Sequence, residues 1–156
     1  VRPVKKSENL FFTTLLKNTN QIHFNEKRYE NDIIISGGIV VAMVLGIASR
    51  EFREIIHHSI KKAFHVMPVY ADEMLGAFSY IKDIHPLAKD LEELHIRTIG
   101  LKNTDTEEEL SEVMLPLELF EHASKPVEII NLCDKKCQAL NDRICTIVDW
   151  TFIRRV

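Results

Sequence analysis

Hydrophobic and polar positions change their period several times along this chain. Residues 10–16 (LFFTTLL) form a short apolar stretch suited to a strand or a helical turn. Ile22 and Phe24 then alternate with polar neighbours, residues 25–27 are turn-like, and Tyr29 opens a second extended run, so residues 21–35 are predicted to form a hairpin. Ser36-Gly37-Gly38 breaks that pattern. Beyond it Val40, Met43, Val44, Ile47, Phe52, Ile55, Ile56 and Ile60 approximate a 3.6-residue period, while Arg50, Glu51, Arg53, Glu54, Lys61 and Lys62 fall mostly off that stripe. The pattern predicts a long helix from 39 to about 63, with Gly46 and Ser49 as points of interruption.

Further on, residues 64–69 (FHVMPV) read as a short extended segment. Asp72 is placed to cap a helix over 73–81 with Met74, Leu75, Phe78 and Ile81 inward. Pro86 opens another helix, with Leu87, Leu91 and Leu94 on one face, and residues 96–101 fit either state. Thr104 or Thr106 can cap the segment TEEELSEVM, whose early glutamates, Glu107 to Glu109, suit a helix N-terminus and read as its solvated face. Pro116 ends it, residues 115–120 read as a strand or connector, and Lys125-Pro126 opens two last helices over 127–132 and 140–150.

Composition narrows the class. The chain has 156 residues, of which 46% are hydrophobic and 28% charged, the proportions of a folded single domain rather than a disordered chain. A net charge of −3 gives no basic footprint for nucleic acid. That charge is split, +4 over residues 1–65 and −7 over residues 66–156. The longest apolar run, residues 33–48, has a Gly pair inside it and is too short to span a bilayer, so it is read as core. The N-terminal residues show no secretory leader, and no membrane attachment is expected. Three cysteines, Cys133, Cys137 and Cys145, all lie late in the chain; an odd, clustered set points to a reducing intracellular setting, cytoplasmic or nuclear, not to a disulfide framework.

Candidate chemistry is sparse. Cys133 and Cys137 would share a helix face, with His122 nearby, but without CxxC spacing or a fourth ligand they read as small buried thiols, so no metal is expected. His57 and His58 would diverge on a helix. Gly37-Gly38 after the run DIII suggests the start of a nucleotide-binding turn, which would make the chain a small α/β nucleotide-binding protein or enzyme, although the GxGxxG pattern is absent. No nucleophile motif is present, so neither catalytic residues nor cofactors are assigned and no enzyme is required. Ile144, Ile147, Val148, Trp150, Phe152 and Ile153 crowd the last residues, more apolar surface than a small core absorbs, which marks a candidate partner site.

Three segments, in order, resemble the cullin-adaptor branch of the BTB/POZ fold, the branch of Elongin C and the F-box-ligase adaptor. The first is residues 22–46, where Gly38, Val40, Ala42, Met43, Val44 and Gly46 match the start of a helix after a hairpin. The second is residues 64–84, similar to a strand ending in Pro and the helix after it. The third is residues 115–150, where Glu128, Ile129, Ile130, Leu140, Asp142, Cys145 and Val148 carry the match. The resemblance implies an α+β domain over residues 21–156, after an N-terminal extension over 1–20: a three-stranded sheet with a flanking helical cluster and an inserted helical segment at about 86–113. It implies an adaptor joining a cullin-type scaffold to a box-motif receptor in a ubiquitin-ligase complex, or a self-associating module, with no chemistry of its own. The family's partner-contacting helix carries an aromatic run where this chain has Cys133-Asp134-Lys135-Lys136, so the implied contacts shift to Cys133, Cys137, Leu140, Ile144, Val148, Trp150 and Phe152.

Overall fold

Five antiparallel strands form one sheet in the order β1-β3-β4-β5-β2. They are β1 (Arg2–Pro3), β2 (Ile55–His65), β3 (Met74–Ala88), β4 (Leu91–Lys102) and β5 (Ile144–Arg155). The helices are α1 (Lys6–Leu15), α2 (Glu26–Tyr29), α3 (Gly37–Ala48), α4 (Glu118–Glu121) and α5 (Pro126–Lys136). The computed structural model describes residues 1–29, 33–52, 54–106 and 108–156. Parts of the predicted hairpin (30–32), of the predicted long helix (Arg53) and of the acidic run (Glu107) lie outside the described residues.

The sheet corrects the sequence reading at four places. The predicted hairpin is instead a 3-10 turn at Gln21–His23 followed by α2. The predicted long helix stops at Ala48, and residues 55–65 form β2. The predicted helices over 73–81 and from Pro86 are β3 and the start of β4, and residues 140–150 run into β5 instead of a helix. The three-stranded BTB/POZ sheet and the helical insertion at 86–113 are therefore absent: that segment closes the β3–β4 hairpin, with Pro86 opposite Glu92. Pro86 is tolerated because β1 pairs only with Met74 and Leu75, which leaves the rest of β3 as an edge.

Helix α3 lies across one face of the sheet. Val40 and Val44 pack with Leu75 and Cys145, and Leu94, Ile96, Val148, Trp150 and Phe152 complete that side with Ala48. The approach is closest at Gly100 of β4: a Cβ there would stand 2.6 Å from Val44 Cγ2 and 2.8 Å from Thr146 Cγ2. Gly100→Ala is expected to cost about 1–3 kcal/mol by overpacking, seen as a lower urea midpoint; an unchanged midpoint would show that α3 can lift off the sheet freely.

The opposite face is covered by α4 and α5, whose Leu119, Phe120, Ile129 and Cys133 pack on Ile99, Leu101, Ile144 and Ile147. Pro126 opens α5, where Glu128 accepts hydrogen bonds from the amides of Ser124 (2.8 Å) and Lys125 (3.2 Å). Among the described residues no helix is long and apolar enough to cross a membrane.

Candidate functional site

The residues singled out from the sequence are interior. Cys133, Cys137, Leu140 and Ile144 sit under α4 and α5, and Val148, Trp150 and Phe152 sit under α3, none more than 5% exposed. The apolar crowding near the C-terminus is that of a central strand covered on both faces. Burial pushes the thiols up, Cys133 to about 11 and Cys145 to about 12, so neither is a thiolate at neutral pH. Among the described residues no group of three or more metal-ligating side chains comes together. His57 and His58 lie exposed on β2, on opposite faces of the strand. Gly37 and Gly38 are the first residues of α3 and stand beside an antiparallel sheet, so the strand-turn-helix of a parallel nucleotide-binding fold does not form.

What the structure does assemble is a polar cluster at the N-terminus of α3. Asn20 closes the 3-10 turn that carries His23, accepting the Ile22 amide through its side chain (3.3 Å), and Asn18 accepts the Asn20 amide (2.9 Å). The His23 ring binds the carbonyl of Ile34 through Nδ1 at 2.7 Å. A carbonyl only accepts, so Nδ1 carries the hydrogen in the neutral ring and Nε2 is left as the basic nitrogen. The turn is tied back by Ile34 N to Ile22 O at 3.1 Å.

Asn9 of α1 links this turn to the helix. Fully buried, it donates to the His23 carbonyl (2.7 Å) and accepts from the Ser36 amide (2.9 Å), immediately before α3. The Ser36 carbonyl accepts from Ile39 and Val40, and its hydroxyl makes no cap. The first-turn amides before these belong to Gly37 and Gly38, residues with no side chain to cover them. Helix N-terminal amides carry positive potential and favour an oxyanion. His65, the last residue of β2, closes over Gly37, where any Cβ would overlap the imidazole. Partial burial of the imidazole lowers the His65 pKa from its ordinary value.

The arrangement ties a turn that carries a fixed imidazole to a helix N-terminus that offers its amides. Alternation at Ile22 and Phe24 hid His23 on an imagined strand. The density of Asn18, Asn20 and Asn25 was the signal for a capped turn instead. Asn9 carried no signal at all, because its partners lie 14 and 27 residues away.

No protein-family model matches the chain, and no curated protein matches it. Solved structures do. One is a MaoC-domain protein from Chloroflexus aurantiacus J-10-fl assigned as a dehydratase: 18% identity, TM-score 0.68, covering 99% of this chain and 40% of that one. The chain thus spans well under half the length of that protein. Another is a monoamine oxidase regulatory protein from Archaeoglobus fulgius: 11% identity, TM-score 0.65, covering 99% of this chain and 84% of that one. At these identities the likeness establishes the fold, an antiparallel sheet curled against one long helix, the hot-dog fold. It overturns the BTB/POZ resemblance, and with it the reading as a ubiquitin-ligase adaptor.

Proposed function

We propose that this chain is an enzyme that adds water to, or removes it from, an acyl thioester, with His23 as the base. The observation that carries the reading is the fixed His23 tautomer, with Nδ1 on the Ile34 carbonyl and Nε2 as the basic nitrogen, in a turn that Asn9 ties to the residue before α3. The fold likeness to a dehydratase supports the reaction class. In the hydration direction Nε2 takes a proton from water while the water oxygen bonds to the β-carbon of the conjugated double bond. The electron pair moves onto the thioester oxygen as an enolate, which the Gly37 and Gly38 amides stabilise. The imidazolium then returns its proton to the α-carbon, so one base serves both transfers and the product gains one water. This economy matters here: among the described residues no carboxylate is bonded to His23.

Incubation with trans-2-enoyl thioesters should give loss of the conjugated-enoyl absorbance. His23→Ala should lower that rate by about 10²–10⁴ with the fold intact by circular dichroism. Absence of turnover at every chain length, or an equal rate in His23→Ala, would sink the proposal.

A further inference from the structure

Helix α3 has no polar residue between Gly37 and Ala48. A helix apolar on every side is ordinarily covered on every side. The inner side of α3 meets the sheet, but Ala42 and Gly46 on its outer side are exposed, and with Gly38 they form one stripe at four-residue spacing. Phe12 and Leu15 of α1, with Leu16 just past its end, line the same space, 42%, 62% and 69% exposed. Together the two helices bound a groove of about 530 Å³.

Size and charge select the occupant. The volume falls within the range of small-molecule sites, about 300–1,000 Å³. The groove runs along α3 toward Arg50, just past the end of that helix. Arg2, the other cation on the wall, is neutralised by Glu8, whereas Arg50 has no carboxylate partner among the described residues.

We infer that this groove binds a linear aliphatic chain bearing a carboxylate, the chain lying on the Gly38–Ala42–Gly46 stripe against α1 and the carboxylate meeting Arg50. His23 is not among the groove's walls, but Gly38, whose amide belongs to the cradle of the proposed hydration site, closes one end of it, so the two sites adjoin at the start of α3.

Gly46 provides a clean test, since a Cβ there would meet nothing within 4 Å. Gly46→Leu therefore fills the groove without a clash and replaces a helix-weakening residue. In titration calorimetry of the full chain, dodecanoate should bind saturably and at least about tenfold more tightly than dodecyltrimethylammonium. Gly46→Leu should weaken dodecanoate at least about tenfold while melting no lower than the parent protein, and Ala42→Leu, one turn earlier, should repeat that loss. Arg50→Glu should erase the preference for the anion. His23→Ala should bind dodecanoate as the parent does, which separates this site from the hydration reading. The inference is overturned if dodecanoate does not bind, if both filled variants bind it unchanged, or if the two amphiphiles bind equally. It is equally overturned if sedimentation shows the face buried between two copies that Gly46→Leu separates.

Discussion

Arg97→Met should destabilise the protein by about 3–5 kcal/mol, the cost of stripping one partner from a buried ion pair. The residue lies on β4, 3% exposed, on the face covered by α4 and α5. Each nitrogen of its guanidinium has a partner. Nε and Nη2 grip the two Asp149 oxygens at 2.7 Å each, and Nη1 reaches the carbonyls of Leu119 (3.1 Å) and Ala123 (2.7 Å). One side chain thus pairs β4 with β5 and pins the end of α4 to the sheet. Methionine would leave Asp149 with Lys82 alone and two buried carbonyls without their donor. The double variant Arg97→Met/Asp149→Leu should recover much of the loss, because an apolar pair of similar volume removes the uncompensated charge. Urea unfolding measures both. A single-variant loss under about 1 kcal/mol would show the pair to be dispensable.

The same pair shapes the acid limb of stability. Burial alone would raise the Asp149 carboxyl, but hydrogen bonds from Arg97 and Lys82 outweigh it and hold the carboxyl below the usual range. Since the folded group titrates below the unfolded one, its contribution is complete above about pH 4 and is lost as pH falls through the folded value. Asp149→Asn should flatten that limb.

Local breaks were legible in the sequence, and long-range pairing was not. Ser36-Gly37-Gly38 announced the start of α3, and Lys125-Pro126 announced α5 with Glu128 in its first turn. The strands were lost for a definite reason. In β5, Ile144 to Trp150 are almost all buried because α3 covers one face and α4 with α5 the other, so no alternation survives to mark a strand. In β2, isoleucines at 55, 56 and 60 with Phe52 mimic a helical stripe, and only pairing with β5 settles their state. A central strand was therefore read as a helix, and the resemblance built on that helix failed with it. The site depends even more on tertiary structure: His23 is one histidine of seven until the Ile34 carbonyl fixes its tautomer.

Asn9 should prove the residue on which that site's geometry most depends. Among the described residues its amide is the one side chain that bonds both the His23 backbone and the residue before α3. Asn9→Ala removes both bonds and leaves a carbonyl and an amide to find other partners, a loss of about 2–4 kcal/mol. Freed from that tie, the His23 turn can shift against the Gly37 and Gly38 amides, and a displacement of about 1 Å is enough to slow a positioned reaction by about a hundredfold. Asn9→Asp is the sharper variant. It keeps an acceptor for Ser36 N but turns a carboxylate oxygen toward the His23 carbonyl, so α3 stays anchored while the turn is repelled. If Asn9 positions the base, kcat for enoyl-thioester hydration falls in Asn9→Asp while KM changes little. If Asn9 merely holds α1 down, both variants lower the thermal midpoint and leave kcat at low temperature unchanged. A base held only by its own loop would tolerate Asn9→Asp, whereas a base registered to the helix through a buried amide would not.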